Sequence, residues 1–584
     1  MRVVLLREIP EDAKLCEQWN ALALREETPE VFYTYEWAMS VQHAYRQALA
    51  PMIFLGYEER GALCGVAALA TDSAQRVSFL CATTGDYCDF VCARDLKPPF
   101  VSGVLRELAK LEVKSITLTN LPADSATVPV LRRESRENRF NLFSRPAYEC
   151  VQASLKRLER RSKDNKLVLM GSKRLRRSLN GIGREGEVRI HHGRTWDEVR
   201  DVLPSFEQAH VARFLTTGRI SNLARAERRN FLAELARRLS KQGWLTMSRV
   251  LVGDRALAWN YGFQFAGTWF WYQPTFVSDL EKYSPGYCLL AKIVEEAAEN
   301  PEMETVDLGL GAEEYKELFA NQRRETLYVT LRGSAVGHLR EMLRYRVAQM
   351  IKLSPQAELN VRRGVTLLKK ARRDGIASVF KAAASRLRGL IWSKSEVIFF
   401  EAGVRSSKST AATRLEPLNL NALASAVSRY AEDPATCDYL LRATARLRNG
   451  GSDGFGLVDT DGKFLHFAWI TEFDGFFLSE LNAKVTAPAP DSVMIFDCWT
   501  PTSARGRGAY GQTVAGIARH MRDCGKVPWI FSEASNHASL RGLEKAGCQR
   551  RYSLTRHRLF GMQKVKGEIP KRTEMATEEV SSRA

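Results

Sequence analysis

The sequence predicts a mixed α/β fold in which one supersecondary unit occurs three times. Each copy begins with two apolar strands joined by a short polar turn, which is the pattern of a β-hairpin. A strand, a helix and a further strand follow, and this alternation is typical of a mixed sheet flanked by helices. A chain of 584 residues is too long for one hydrophobic core, so several such units are expected.

The three copies follow one another along the chain in the same order of elements. The predicted turns fall at residues 59–61, 253–255 and 460–462, and the predicted helices at residues 100–111, 285–298 and 511–521. The stretch RVSFLCATTGDYCDFV after the first hairpin is predicted as strand. A fixed order that recurs three times indicates duplication of one ancestral unit.

The formal net charge of +19 favours acidic partners, although a solvated basic surface gives the same charge. Residues 333–395 hold fourteen Lys or Arg against three acidic residues, in an amphipathic helical register. Two interpretations stay open for this segment. It is a linker helix packed on a domain, or it contacts an anionic membrane surface or another polyanion such as tRNA. We expect no binding to DNA.

The sequence lacks the patterns of a membrane span, a signal peptide and a metal site. No stretch approaches the roughly 18 apolar residues of a membrane span, and MRVVLLREIPEDAKL resembles a first strand. Eleven cysteines without a CxxC pair predict reduced thiols, and the nine histidines form no ligand motif, so we expect no metal. These features predict a cytoplasmic protein, with a peripheral place on the inner membrane if the basic segment binds lipid.

A glycine-rich turn, RGRGAYGQ at residues 505–512, joins an apolar strand to a predicted helix. Unpaired N–H groups and the positive dipole end at a helix start bind phosphate, and glycine lets the backbone approach closely. The turn resembles the pyrophosphate loop Q/R-x-x-G-x-G/A of GNAT acyltransferases. The resemblance implies acyl-CoA contacts from Arg505, Gly506, Arg507, Gly508, Ala509, Tyr510 and Gly511. Tyr510 stands where the family has Gly or Ala.

A second segment, NHASLRGLEKAGC at residues 536–548, resembles the GNAT pattern N-x-x-A/S-x-x-x-Y-E-K-x-G-F. The match implies that Asn536 and Ser539 also contact acyl-CoA. The family's tyrosine, which in many members protonates the departing thiolate, falls on Leu543. The general acid is therefore missing from its usual place.

Most of residues 1–330 resembles the CelD/BcsL-type proteins, which are GNAT-related and linked to polysaccharide biosynthesis. The segments that carry the likeness are EQWNALALREETPEVFYTYEWAMS, GDYCDFV, SKRLRRSLNGIGREGEVRIHH, FVSDLEKYSPGYCLLAKIVEEA and VDLGLGAEEYKELF. The double-domain design is also similar to the FemAB transferases, which move aminoacyl groups from charged tRNA. The likeness implies a tandem of two GNAT-like domains.

The second copy contains several candidates for binding and for acid–base chemistry. Pro285 suits the first helical position and Ser284 the N-cap, so this helix start, with Gly286, is a candidate anion site. The candidates for catalysis or substrate positioning are Asp307, Tyr315, Lys316 and His210, with Asp497 in the third copy. A loop cap for Asp307, an ordinary helix histidine for His210 and an ion pair for Asp497 remain open alternatives.

These observations predict an acyl-CoA-dependent N- or O-acyltransferase that acts on a polysaccharide or cell-envelope precursor. Acetyl-CoA is the expected acyl donor. One alternative is aminoacyl transfer from tRNA; another is a non-catalytic scaffold of exopolysaccharide assembly at the inner membrane. The predicted domains are a degenerate GNAT-like domain (1–150), a CelD/BcsL-type GNAT domain (151–332), a basic helical linker (333–395), a C-terminal GNAT domain (396–565) and a disordered tail (566–584).

Overall fold

The computed structural model describes residues 1–111, 113–160, 167–352, 392–403, 413–559 and 562–569. The chain divides into two compact units. The N-terminal unit holds residues 1–213 and 225–350, and the C-terminal unit holds residues 214–224 and 351–584. Most of the predicted basic linker and of the predicted tail lies outside the described residues, and the predicted domain boundaries stay predictions. Within the described ranges, no helix is both long and apolar enough to cross a membrane.

Thirteen strands form one sheet in the described part of the N-terminal unit. They are β1 (Arg2–Leu6), β2 (Ala50–Tyr57), β3 (Leu63–Thr71), β4 (Arg76–Phe79), β5 (Val91–Cys92), β6 (Ser115–Pro122), β7 (Asn141–Ser154), β8 (Val188–Gly193), β9 (Leu245–Val252), β10 (Arg255–Phe265), β11 (Thr268–Phe276), β12 (Thr305–Leu310) and β13 (Gln322–Arg332). Their order is β1-β2-β3-β4-β6-β13-β7-β12-β11-β10-β9-β8, with β5 on β3.

The α-helices of residues 1–352 connect these strands or follow the last of them. They are α1 (Ala13–Leu24), α2 (Tyr35–Tyr45), α3 (Lys97–Lys110), α4 (Thr127–Glu137), α5 (Lys173–Ile182), α6 (Trp196–Arg200), α7 (Leu203–Thr216), α8 (Ala226–Lys241), α9 (Pro285–Glu299), α10 (Glu314–Glu317) and α11 (Ala335–Lys352). The helices α3 and α9 occupy equivalent places, because each connects the two parallel strands of its copy.

The first two copies exchange their last strands. Strand β13 of the second copy pairs with β6 of the first copy, and β7 of the first copy pairs with β12 of the second. The two exchanged strands also pair with each other, antiparallel, along the centre of the sheet. Neither copy completes its own sheet, so the two fold as one body.

The C-terminal unit repeats the design with a sheet of eight strands and a separate two-stranded ribbon among its described residues. Its strands are β14 (Trp392–Glu401), β15 (Arg414–Pro417), β16 (Asp453–Val458), β17 (Phe464–Glu472), β18 (Phe476–Leu478), β19 (Ala483–Val485), β20 (Ser492–Trp499), β21 (Val527–Glu533), β22 (Gln549–Leu559) and β23 (Met562–Lys566). Its helices are α12 (Leu420–Arg429), α13 (Pro434–Asn449), α14 (Ala509–Asp523) and α15 (His537–Lys545).

The order of the eight-stranded sheet is β15-β16-β17-β20-β21-β14-β22-β23, and β20 runs parallel to β21. Strand β14, which precedes the hairpin of the third copy, lies between β21 and β22. In each copy, the second parallel strand (β6, β12 or β21) has a neighbour that lies outside that copy's hairpin–strand–helix–strand unit. These neighbours are β13, β7 and β14.

All three predicted hairpins are confirmed, as the pairs β2–β3, β9–β10 and β16–β17. Gly462 in the turn of the third hairpin has a φ of 71°, a conformation that is strained for residues with a Cβ. The prediction of strand throughout RVSFLCATTGDYCDFV is wrong, since residues 80–90 leave the sheet. Backbone bonds from Thr84 and Gly85 to the Cys81 carbonyl close a turn there.

The strand exchange encloses an ion pair between the copies. Glu30 and Arg324 lie 2.5 Å apart, with side chains only 3% and 9% exposed, and Arg324 also stacks over the Tyr87 ring at 4.8 Å. Replacing Arg324 with Ala leaves Glu30 buried without a partner, so we expect a loss of about 3–5 kcal/mol in the free energy of unfolding. Chemical denaturation measures this loss.

The neighbouring residue on β13 provides the control. Arg323 pairs with Glu149 and Glu317, but its side chain is 53% exposed, so Arg323→Ala should cost less than about 1 kcal/mol. Equal losses in the two variants would contradict a structural role for the buried pair.

Candidate active sites

The two parallel strands separate towards their carboxyl ends in the second and third copies. Strands β11 and β12 pair only as far as Phe270 and Asp307, and strands β20 and β21 only as far as Ile495 and Ile530. Each first strand carries a bulge just beyond this point, and in β20 it includes Asp497 with a φ of 46°. The result is an opening between the two parallel strands beside the start of α9 or α14.

The start of α14 offers a run of free backbone donors. The N–H groups of residues 506–511 have no hydrogen-bond partner among the described residues, whereas Arg505 N donates to Thr502 O and Gln512 N to Gly508 O. Gly506 and Gly508 have φ of 78° and 73°, which glycine tolerates best. Six donors at the positive end of a 15-residue helix, with two exposed arginines in the loop, form a site suited to a pyrophosphate.

Tyr510 packs against α15 instead of leaving the gap that Gly or Ala would leave. A Cβ placed on Gly542 would lie 2.7 Å from the Tyr510 ring, so the glycine makes room for the tyrosine. The Tyr510 and Ser539 hydroxyl oxygens are 3.0 Å apart. Asn536 caps α15 by accepting a bond from Ser539 N at 3.1 Å, and Leu543 is buried in the core. The structure thus brings together Tyr510, Ser539 and Asn536.

Asp497 is already engaged by a cation. Its carboxylate forms an ion pair with Arg446, and its carbonyl accepts a bond from the Tyr439 hydroxyl at 3.2 Å. The guanidinium of Arg446 also lies 5.0 Å from the Trp469 ring. The ion pair left open as an alternative for Asp497 is therefore present, and Asp497 holds the bulge of β20 in place.

The start of α9 differs from the start of α14. Pro285 has no N–H, and Tyr287 N and Cys288 N both donate to Ser284 O, so within this described stretch only Gly286 N lacks a partner. The predicted capping bond of Ser284 is wrong: its backbone is left-handed, with φ 49° and ψ 56°, and its side chain makes no cap. The reason is that Ser284 also closes the preceding helical turn through a bond to Glu281 O.

The start of α3 in the first copy offers still less. Pro98 and Pro99 have no N–H, and the N–H groups of Lys97 and Phe100 donate to Ala93 O and Leu96 O. The Lys97 ammonium is buried against the Phe90 carbonyl and Glu26. This helix start therefore has no free donor for a phosphate, which gives a physical reason for the prediction of a degenerate first copy.

Asp307 lies in the opening of the second copy and is held by three donors. Its carboxylate accepts bonds from the Tyr87 hydroxyl at 2.9 Å, the Gln152 amide at 2.6 Å and the Gly309 N–H at 2.7 Å. The backbone cap left open for Asp307 is thus present, together with two side chains. Tyr87 and Gln152 both belong to the first copy, so the strand exchange builds this site.

Asp86 is the residue that sequence reasoning missed as a site residue. Its carboxylate oxygen lies 2.7 Å from where a Cβ on Gly309 would be, and Gly309 has a φ of 72°. Burial, reinforced by Asp307, raises the pKa of Asp86 to about 7, against the opposing effects of Lys316 and Arg228. A carboxyl that titrates near neutrality can accept or give a proton. Its signal in the sequence was the segment GDYCDFV.

Lys316 and Tyr315 lie at the same end of β12. The Lys316 ammonium donates to the carbonyls of Leu310 and Gly311 at 3.0 and 3.2 Å and pairs with Glu313 at 2.6 Å. The Tyr315 hydroxyl accepts a bond from Trp271 at 3.3 Å. Lys316 therefore places a buried positive charge near enough to Asp86 to oppose the rise in its pKa.

His210 belongs to a network with Gln273 of β11 and Arg228. Its Nε2 accepts a bond from the Gln273 amide at 3.0 Å, and the Gln273 oxygen accepts one from Arg228 at 3.0 Å. Burial, with Arg213 and Arg228 nearby, lowers the pKa of His210 to about 3, so the ring is neutral at physiological pH. His210 can orient Gln273 but cannot act as an acid there.

Each of the two mixed sheets has one opening of this kind beside a helix start, and this arrangement is that of an acyltransferase-like fold. Residues 171–317, which contain the second opening, match the family model of the acetyltransferase (GNAT) domain. The chain therefore contains a GNAT domain of the GNAT superfamily. Among curated proteins, none matches the chain.

Three solved structures show a similar fold over about half of the chain. The C-terminal domain of a protein described as a lysylphosphatidylglycerol synthetase from Agrobacterium fabrum is 12% identical, with 56% of this chain and 95% of that chain covered and a TM-score of 0.38. FemX is 11% identical (56% and 97%, TM-score 0.39). A tandem GNAT protein from the clavulanic acid pathway is 12% identical (57% and 99%, TM-score 0.33).

The raised pKa of Asp86 predicts a pH-dependent stability. Between the unfolded pKa of about 4 and the folded pKa of about 7, the folded protein keeps a proton that the unfolded chain has released, so stability falls as pH rises. Asp86→Asn removes this titration. The variant should gain in free energy of unfolding relative to the wild type across that window and keep a constant advantage above it.

Chemical denaturation of both proteins below, within and above the window tests this expectation. Asp254→Asn, in the exposed β9–β10 turn, is the control and should leave the pH dependence unchanged. A difference between Asp86→Asn and the wild type that stays the same at every pH would refute the shifted pKa.

Proposed function

We propose that the chain is an acyl-CoA-dependent acyltransferase whose donor binds at residues 505–511. The observation that carries the proposal is the run of six unpaired N–H groups beside the opening between β20 and β21. In this proposal the helix start holds the pyrophosphate and the opening takes the acyl-bearing arm. Arg505 and Arg507 add positive charge at the same point.

The chemistry is direct attack of an amine or hydroxyl on the thioester, in which a C–N or C–O bond replaces the C–S bond. The acceptor loses a proton, and CoA leaves as the thiol after taking one up. Backbone N–H groups of the opening can stabilise the developing oxyanion, and the fold supplies positioning. Burial raises the pKa of Tyr510, so its hydroxyl stays protonated beside Ser539. It is therefore available as a proton donor near Leu543, the position where the family's tyrosine is missing. Acetyl-CoA is the first donor to test. A polysaccharide or cell-envelope precursor as acceptor rests on the resemblance of residues 1–330.

A second candidate function applies to the second copy. The start of α9 has a single free N–H, which is too few to hold a pyrophosphate. It therefore favours an acyl donor that is not bound through a pyrophosphate, and aminoacyl-tRNA is such a donor. Helix α5 lies against this turn, since a Cβ on Gly181 would meet the Tyr283 ring and Arg174 stacks over Tyr287 at 4.9 Å. Its exposed cations suit a polyanion; they are Lys173, Arg174, Arg176 and Arg177. Asp86 would then serve as the general base, and Lys316 would supply a fixed positive charge beside it.

Gly508→Glu tests the proposed donor site. A side chain at φ 73° strains the loop, and a carboxylate repels the pyrophosphate, so we expect CoA affinity to fall by at least about a hundredfold. Isothermal titration of the full chain with acetyl-CoA measures the affinity. Gly462→Glu is a matched control, because Gly462 has a φ of 71° in an open turn of the same unit, and it should bind as the wild type does.

The outcomes separate the three functions. Binding of acetyl-CoA that survives Gly508→Glu would exclude the loop as the donor site. Binding of charged tRNA in place of acetyl-CoA would favour aminoacyl transfer by the second copy. A wild-type protein that binds neither donor would favour the non-catalytic scaffold.

A further inference from the structure

Helix α11 carries a stripe of large apolar side chains that point into solvent. Its members are Val336, Leu339, Leu343, Val347 and Met350, which are 52–72% exposed in the described structure. At 100° per residue, the spacing of three, four, four and three residues keeps all five within one narrow face. The stripe runs for about 20 Å along the helix, at a rise of 1.5 Å per residue.

The opposite side of α11 holds the helix on the sheet. The Tyr345 ring meets the Phe143 ring of β7 at 5.5 Å, and Glu341 pairs with Arg332 of β13 at 2.7 Å. Both contacting residues lie about half a turn away from the apolar stripe. The exposed stripe is therefore the outward face of a docked helix.

Charges flank the stripe on both sides. Arg340 and Arg344 lie along one edge and Arg346 along the other, while the acidic residue of this helix, Glu341, is turned to the sheet and neutralised by Arg332. An apolar face bordered by arginines is the pattern of a helix that lies in the interface of an anionic bilayer. The spacing of three and four residues is also that of a coiled-coil seam, but arginines on both edges of the stripe favour an anionic surface.

We infer that α11 docks the protein on the surface of an anionic lipid bilayer, with the five apolar side chains inserted among the acyl chains and the three arginines at the phosphates. The inference does not depend on the proposed transferase activity. The membrane contact predicted for residues 333–395 is thereby assigned to the apolar face of α11. A single helix of this kind gives reversible binding, which suits an enzyme that meets a lipid-linked or membrane-proximal acceptor.

Flotation of the full chain with vesicles tests the inference. The wild type should float with vesicles of phosphatidylglycerol and phosphatidylcholine and stay behind with phosphatidylcholine alone, because the arginines need anionic lipid. The double variant Leu343→Asp with Val347→Asp should lose at least about a hundredfold in partitioning, since two charges enter the apolar face. Leu24→Asp, at a leucine that is 48% exposed elsewhere, is the matched control and should float as the wild type does.

A gain of function gives a second readout. Leu339→Trp should strengthen partitioning, and with anionic vesicles its fluorescence should shift to the blue relative to the wild type as the added indole leaves water. Unchanged flotation of the Asp double variant would overturn the inference. So would absence of the wild type from anionic vesicles, or a change from dimer to monomer in the double variant without lipid, which would make the stripe a protein interface.

Discussion

The exchange of β7 and β13 is the constraint on which the N-terminal unit depends. Each of these strands completes the sheet of the other copy and pairs with its counterpart at the centre. A copy that folded alone would leave a long edge strand open to other chains. The exchange closes that edge and fixes the two copies in one register. It also carries Gln152 and Arg324 into the region between the copies.

The site of the second copy follows from this exchange. Asp307 belongs to the second copy, but its carboxylate is held by Tyr87 and Gln152 of the first. Asp86, next to Tyr87, lies over Gly309. Burial is the main reason that its pKa rises towards neutrality, and the nearby Asp307 carboxyl adds to the rise. The first copy has no free donors at its own helix start, yet it supplies the titratable group for its neighbour's opening.

Local features could be predicted from the sequence, and features made by distant contacts could not. The hairpins were predictable because their signal, a polar turn between apolar strands, lies in adjacent residues. The helix at the RGRGAYGQ loop likewise begins within two residues of its predicted start. The role of Asp86 was not predictable, since its raised pKa comes from burial by distant parts of the chain and then from Asp307, more than 200 positions away. The cap by Ser284 failed for a local reason: the preceding turn takes the backbone into the left-handed region, which no propensity for serine indicates.

The three helix starts show how one fold can offer an anion three different sites. All three helices stand at the same place in the sheet, so their dipoles are equivalent, and the dipole alone cannot distinguish them. The difference lies in the count of free N–H groups among the first three residues of each described helix: none at α3, one at α9 and three at α14, where residues 506–508 of the loop add three more. Two prolines remove donors at α3 and one does so at α9, whereas left-handed glycines turn the donors of α14 outward. In each copy the preference for an anion is thus decided by a few backbone groups, and these can be read from the positions of proline and glycine.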